Sequence, residues 1–213
     1  MVSKAHPATL HPKIYEIMNF KITIPKDIHV ILQGDDIFCE GPLGSLTIPR
    51  KKLDPKAFIL FQITESEIHF HWVNKKMEAL QSTQAKLKPT GKPTALVRAY
   101  KGQIEAIFKQ SFQGLLQGYL THLELIGVGF RVEQKEQQLE FKLGFSHPIF
   151  YDVPSDIRAI IAKPTELALY GVDLNRLTQV AAQIKKLRPP EMYKGKGIRL
   201  SSDILYLKEM KKS

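Results

Sequence analysis

One script runs twice along this chain: a hairpin, a second hairpin, then a helix. In the first half VILQGDDIFCEGPLGSLTIP leads to FILFQITESEIHFHWV and then to a helical stretch. In the second, FRVEQKEQQLEFKLGFSHPIF leads to IRAIIAKPTELALYGV and another. The closest local match sets TESEIHF against KPTELAL, with Glu67-Ile68 facing Glu166-Leu167. A repeated supersecondary unit restricts the possible architectures more than any composition does. Each copy has one apolar sheet face to bury, and one amphipathic helix covers it. The expected fold is α+β: two tandem similar modules, each a small, mostly antiparallel sheet covered by one helix. Identity between the copies is low, and residues 74–93 break the symmetry as an insertion.

Taken in order, residues 1–20 read as an N-terminal extension, with a short helical turn at Lys13–Asn19. From Lys21 the pattern becomes strand-like, with turns at Gly34-Asp35-Asp36 and at Gly41-Pro42 with Gly44. Lys51–Pro55 reads as a basic loop, and Phe58–Ile63 with Ile68–Val73 as a hairpin. Inside the insertion, Lys75–Leu87 suits a short helix and Lys86–Lys92 a basic linker. Thr94 then caps a helix over Ala95–Gln117. Its apolar stripe is Leu96, Tyr100, Ile104, Ile107, Phe108, Ser111 and Leu115, and Gly118 ends it. Strands follow at His122–Ile126, Phe130–Glu133, Gln138–Gly144, Pro148–Val153, Arg158–Ala162 and Glu166–Tyr170. Asp173 caps a second helix with the stripe Leu174, Leu177, Val180, Ala181, Ile184 and Leu187, stopped at Pro189. The modules span residues 21–118 and 119–200, and residues 201–213 form a lysine-rich tail.

The chain of 213 residues carries a net charge of +10 and a pI of about 9.6. That excess points to a polyanionic partner, nucleic acid before an anionic membrane surface. No apolar run approaches the roughly 18 residues a membrane-spanning helix needs. The single cysteine, Cys39, sits in the alternating segment IFCEG and reads as a buried inert thiol. It allows no internal disulfide and no zinc ribbon.

The positive charge concentrates around Arg188–Arg199, RPPEMYKGKGIR. Pro189 and Pro190 stiffen the exit from the second helix. Gly195 and Gly197 let backbone approach a bulky partner, Lys194 and Lys196 can sit on phosphates, and Tyr193 can stack or anchor. Lys185, Lys186 and Arg188 precede them. A helix C-terminus alone favours cations, but it has no need of lysines in the loop beyond, whereas a phosphate surface does. A solvated basic connector remains the plain alternative. Other candidate chemistry is poor. Ser146-His147 are neighbours in a turn, which makes no triad by itself. His69 and His71 share a strand face without a third ligand type nearby. Gly127-Val128-Gly129 opens like a dinucleotide fingerprint but lacks its third glycine and runs into a strand. No metal site, catalytic residue or cofactor is expected. The competing class is a small basic enzyme acting on a phosphorylated substrate.

Four segments carry a resemblance. PPEMYKGKGIR, LELIGVGFR (Leu123–Arg131), LGFSHP (Leu143–Pro148) and, less specifically, VILQGDDIFCEGPLGSL together resemble the bacterial-type large-subunit ribosomal protein six family. Order and spacing agree from about Lys21 to Arg199. The family is built from two tandem copies of one α+β module and binds large-subunit rRNA near the sarcin–ricin loop and the translation-factor docking region. The resemblance therefore implies a structural, non-catalytic role in the large ribosomal subunit, supporting translation. Its partners would be large-subunit rRNA and neighbouring ribosomal proteins, with the protein monomeric within the ribosome. By position it assigns Lys185, Lys186, Arg188, Tyr193, Lys194, Gly195, Lys196, Gly197 and Arg199 to the rRNA-binding loop.

Three departures stand out: the 1–20 extension, the 74–93 insertion, and the tail LSSDILYLKEMKKS, which carries less positive charge than the family pattern. They imply an organellar ribosome, mitochondrial rather than plastid, with a bacterial cytoplasm left open. The first twenty residues hold no arginine, so no typical transit peptide is expected.

Overall fold

The computed structural model describes residues 19–54, 59–72, 95–136 and 138–208. The Lys13–Asn19 turn up to residue 18, the Thr94 cap, and the helix and linker expected within 74–93 lie outside the described residues. The chain divides into two compact units, Met1–Phe112 and Gln113–Ser213.

In the first unit, β1 (Asn19–Thr23), β5 (Ile59–Ile63) and β6 (Glu67–Trp72) form an antiparallel sheet of order β1-β6-β5. The strands β2 (His29–Gln33), β3 (Asp36–Gly41) and β4 (Gly44–Pro49) form a second, in sequential order. The first strand begins before Lys21: Asn19 pairs with His71 and Phe20 with Phe70. Their rings explain why. Phe20 stacks on Phe70 at 4.5 Å, and Phe70 meets Phe108 edge-on at 5.7 Å. Phe108 belongs to the long helix α2 (Ala95–Gln117), so this cluster seats the helix on the sheet. The basic loop expected at Lys51–Pro55 is instead a short helix, α1 (Arg50–Leu53), whose Leu53 is buried.

Helix α2 runs over the expected residues and closes as expected, with Gly118 at φ +72° donating its N–H to Gly114 O at 2.9 Å. Its buried face differs from the expected stripe: Val97, Ile104, Phe108, Phe112 and Leu115 are buried, while Ile107 and Ser111 are only half-buried. A 3.6-residue period lets either position 111 or 112 follow Phe108. The Phe112 ring removes far more apolar area from water than a serine, so the helix turns that side inward.

The second unit repeats the first. Strands β7 (Tyr119–Ile126), β11 (Ile157–Lys163) and β12 (Glu166–Gly171) reproduce the earlier order as β7-β12-β11. Strands β8 (Arg131–Lys135), β9 (Gln138–Lys142) and β10 (Ile149–Asp152) form the matching meander. Glu67 opens the central strand β6 and Glu166 opens its counterpart β12, as the local sequence match requires. Helix α3 (Leu174–Leu187) packs on β7 and β12 through Leu177, Val180, Ala181 and Ile184, all buried. Asp173 caps it by accepting from the Asn175 N–H at 2.9 Å.

One strand has no counterpart among the described residues of the first unit. Gly197–Leu200 forms β13, antiparallel to the free edge of β7, with Arg199 opposite Glu124. The reading of Arg188–Arg199 as one loop therefore ends at Lys196.

Candidate nucleic-acid interface

Helix α3 stops at Leu187 because Arg188 precedes a proline and cannot remain helical: its φ and ψ are −149° and 88°. The connection to β13 then closes on itself. Ile198 N–H donates to Arg188 O at 2.8 Å, Glu191 N–H to Lys196 O at 2.8 Å, and Gly195 N–H to Glu191 O at 3.0 Å. Two of the sequence's glycines serve this closure. Gly195 has φ +67°, and a Cβ there would sit 3.5 Å from Leu207. Gly197 has φ +145°, and a Cβ would fall 2.6 Å from Pro189 O and from Pro190 Cα. Both glycines are buried. Their freedom lets the loop pack against its own prolines and tail.

The seven other assigned residues separate into two groups. Lys186, Tyr193, Lys194 and Lys196 are exposed. None of the ion pairs among the described residues uses Lys186, Lys194 or Lys196. Lys185, Arg188 and Arg199 are half-buried and engaged within the chain. Lys185 Nζ lies 2.6 Å from Asp203 Oδ2, and that same oxygen accepts from Leu200 N–H at 3.2 Å. The Lys185 hydrogen bond holds the Asp203 carboxyl below its ordinary range. Arg199 donates Nε and Nη2 to Glu124 Oε2 at 2.9 and 2.7 Å, and Ser201 Oγ donates to Oε1 at 2.8 Å. These hydrogen bonds, Arg199's first, lower the Glu124 pKa. Lys185 and Arg199 thus hold the loop's frame, while Lys194 and Lys196 on the loop and Lys186 at the end of α3 form the exposed charge.

Arg188 performs a third task. Its guanidinium lies 4.8 Å over the ring of Phe145, a cation–π contact. Phe145 belongs to LGFSHP, so two separate sequence motifs meet here. The third joins through Phe130 of LELIGVGFR. A Cβ on Gly127 would lie 2.8 Å from its ring, and one on Gly144 would lie 3.2 Å away. Gly127 of GVG and Gly144 of LGF thus leave room for one buried phenylalanine. Sequence reasoning missed Phe145 as a support for the loop. Its aromatic character beside an assigned arginine was the available signal.

The tail completes the site. Lys208 N–H donates to Met192 O at 2.9 Å, which lays residues 203–208 back along the loop. Ser146 and His147 are exposed in the turn between β9 and β10. His69 and His71 lie in the first unit with parallel rings 6.4 Å apart. Among the described residues no three His, Cys, Asp or Glu side chains gather as a metal site would require. Cys39 is buried, and desolvation pushes its thiol up to about 12.

A family profile described as ribosomal protein L6 matches residues 126–200, the stretch from the end of β7 through β13. Full-length similarity extends further. The large ribosomal subunit protein uL6 of Hydrogenobaculum sp. is 34% identical over 187 residues, covering 88% of this chain and 90% of that protein. Its counterpart in Variovorax paradoxus is 32% identical over 191 residues, covering 90% and 95%. The Thermosipho africanus protein of the same name is 30% identical over 197 residues, covering 92% and 98%. With the repeated α+β fold and the three motifs gathered at one end of the second unit, this similarity establishes that the chain belongs to the large ribosomal subunit protein uL6 family.

Proposed function

We propose that the protein is a structural constituent of the large ribosomal subunit that binds large-subunit rRNA near the sarcin–ricin loop and the translation-factor docking region. The observation that carries this reading is a trio of exposed lysines: Lys186 in the last turn of α3, and Lys194 and Lys196 on the following loop, whose conformation is fixed by three internal backbone hydrogen bonds. Lysines held in place pay less ordering entropy when they meet phosphates, and they release counterions on contact. Arg188, held over Phe145, adds a fourth cation at the same end of α3. Lys185 and Arg199 act one step back, bracing the loop through Asp203 and Glu124. Gly195 and Gly197 shape the loop, and Tyr193 stands exposed at its tip.

Family membership supports the ribosomal location. The named relatives are bacterial, so the organellar reading rests on the 1–20 extension, the 74–93 insertion and the weakly basic tail, the first two mostly or wholly outside the described residues. Co-sedimentation with large subunits over graded salt tests the function. Retention at low salt and release at high salt are expected, and a protein that stays in the supernatant at low salt removes the reading.

A further inference from the structure

The loop and the tail each carry an exposed tyrosine, and the fold ties the two segments together. Tyr193 is 51% exposed and Tyr206 is 87% exposed. They are joined through the Lys208 N–H bond to Met192 O and through Leu207, whose side chain lies against Gly195. Asp203 fixes the other end of the tail segment by its bonds to Lys185 and Leu200. Residues 203–208 therefore form a strap anchored at both ends, with Tyr206 standing out from it. Lysines neighbour both tyrosines in sequence: Lys194 and Lys196 follow Tyr193, and Lys208 follows Tyr206 by two residues.

We propose that this strap and loop bind an unpaired nucleotide of RNA, its base stacked on Tyr206 and its flanking phosphates held by Lys194, Lys196 and Lys208. The inference rests on the RNA-binding reading above and specifies which feature of the RNA is recognised. An exposed aromatic ring among cations has the arrangement that captures splayed bases, because every base offers a π-face and every linkage a phosphate. A continuous duplex keeps its bases stacked on one another and offers Tyr206 only sugar and phosphate. The strap is therefore suited to a bulge, a loop or a strand end.

The test uses the full chain and two labelled RNA hairpins: one with an uninterrupted stem, and one with the same stem interrupted by a single bulged uridine. Fluorescence anisotropy is read at fixed salt. The bulged hairpin is expected to bind tighter by on the order of tenfold. Tyr206→Ala should abolish that preference, Tyr206→Phe should keep it, and Lys194→Glu should weaken both hairpins alike. Tyr206 is almost fully exposed, so its replacement leaves the fold intact, which circular dichroism checks. Equal binding of the two hairpins with dependence on Lys194 overturns the stacking proposal while leaving the RNA reading in place. Binding to neither hairpin removes both. A bulge preference that survives Tyr206→Ala also overturns it, and assigns the exposed Ile204 and Tyr206 to a protein neighbour instead.

Discussion

Arg199 on β13 and Glu124 on β7 face each other in register and share a two-pronged ion pair, although 75 residues separate them in sequence. Both side chains are about one-third exposed, so the pair is partly screened. Glu124→Ala should lower stability by about 1–2 kcal/mol, measured by urea denaturation. Arg199→Lys keeps the charge but loses the fork, and should fall between the wild type and the alanine variant.

The division of labour among the basic residues predicts different salt responses. Lys194→Ala and Lys196→Ala should each flatten the dependence of log K on log salt by about 0.7–0.9. Lys185→Ala should leave that slope unchanged and reduce stability instead, because its ammonium is committed to Asp203 at 2.6 Å. A slope lowered equally by all three would return Lys185 to the RNA surface.

Two glycines separate steric closure from backbone strain. Gly129 has φ +76° with nothing within 4 Å of a built Cβ, whereas Gly197 meets Pro189 and Pro190 at 2.6 Å. Gly129→Ala should cost about 1 kcal/mol, the strain of a left-handed alanine. Gly197→Ala should cost more, on the order of 3 kcal/mol, since backbone atoms must also move. It should additionally weaken RNA binding by disturbing Lys196. Melting temperatures and RNA titrations of the two variants make the comparison.

Acid should loosen this end of the second unit. Arg199 and Ser201 hold Glu124 below its ordinary 4.5, and Lys185 holds Asp203 below its ordinary 3.8. Carboxylates with depressed folded-state pKa values contribute stability that is present above those ordinary values. It is lost as pH falls through the lower, folded-state ones. The urea midpoint should therefore drop below about pH 4.5, and a Glu124→Gln, Asp203→Asn double variant should lose less across that window.

Cys39 supplies a reporter of the first unit. Its thiol is fully buried and titrates near 12, so native protein at pH 8 should resist alkylation. Added urea should make it reactive at the unfolding midpoint of β3 and its neighbours, followed by mass spectrometry.

Much of this was legible because the governing signals are local. Alternating residues mark β3 and β9, Asp173 marks the start of α3, and Pro189 marks its end. The repeat was legible for the same reason, since each hairpin closes within a few residues. What escaped were choices made by distant partners. Nothing near Gly197–Leu200 announces a strand, because its ladder comes from β7. Nothing near Arg199 announces Glu124. The site's cations were readable as a group from charge alone, but the separation into surface and frame depended on acids elsewhere. That Gly195 and Gly197 close the loop on its own prolines and tail was not legible, because a freely turning backbone serves an external partner or the chain itself equally well.

The pairing of β13 with β7 also orders events in time. A chain made from its N-terminus first produces β7, then the meander, β11, β12 and α3, before residues 197–200 exist. Until then β7 has one vacant edge, and the Ile198–Arg188 bond lacks its donor. Closing a ladder over so long a separation is entropically slow compared with the hairpins that precede it. The lysine loop therefore acquires its shape at the last stage of folding. A copy synthesised only to residue 196 lacks the strand that ties the loop to β7.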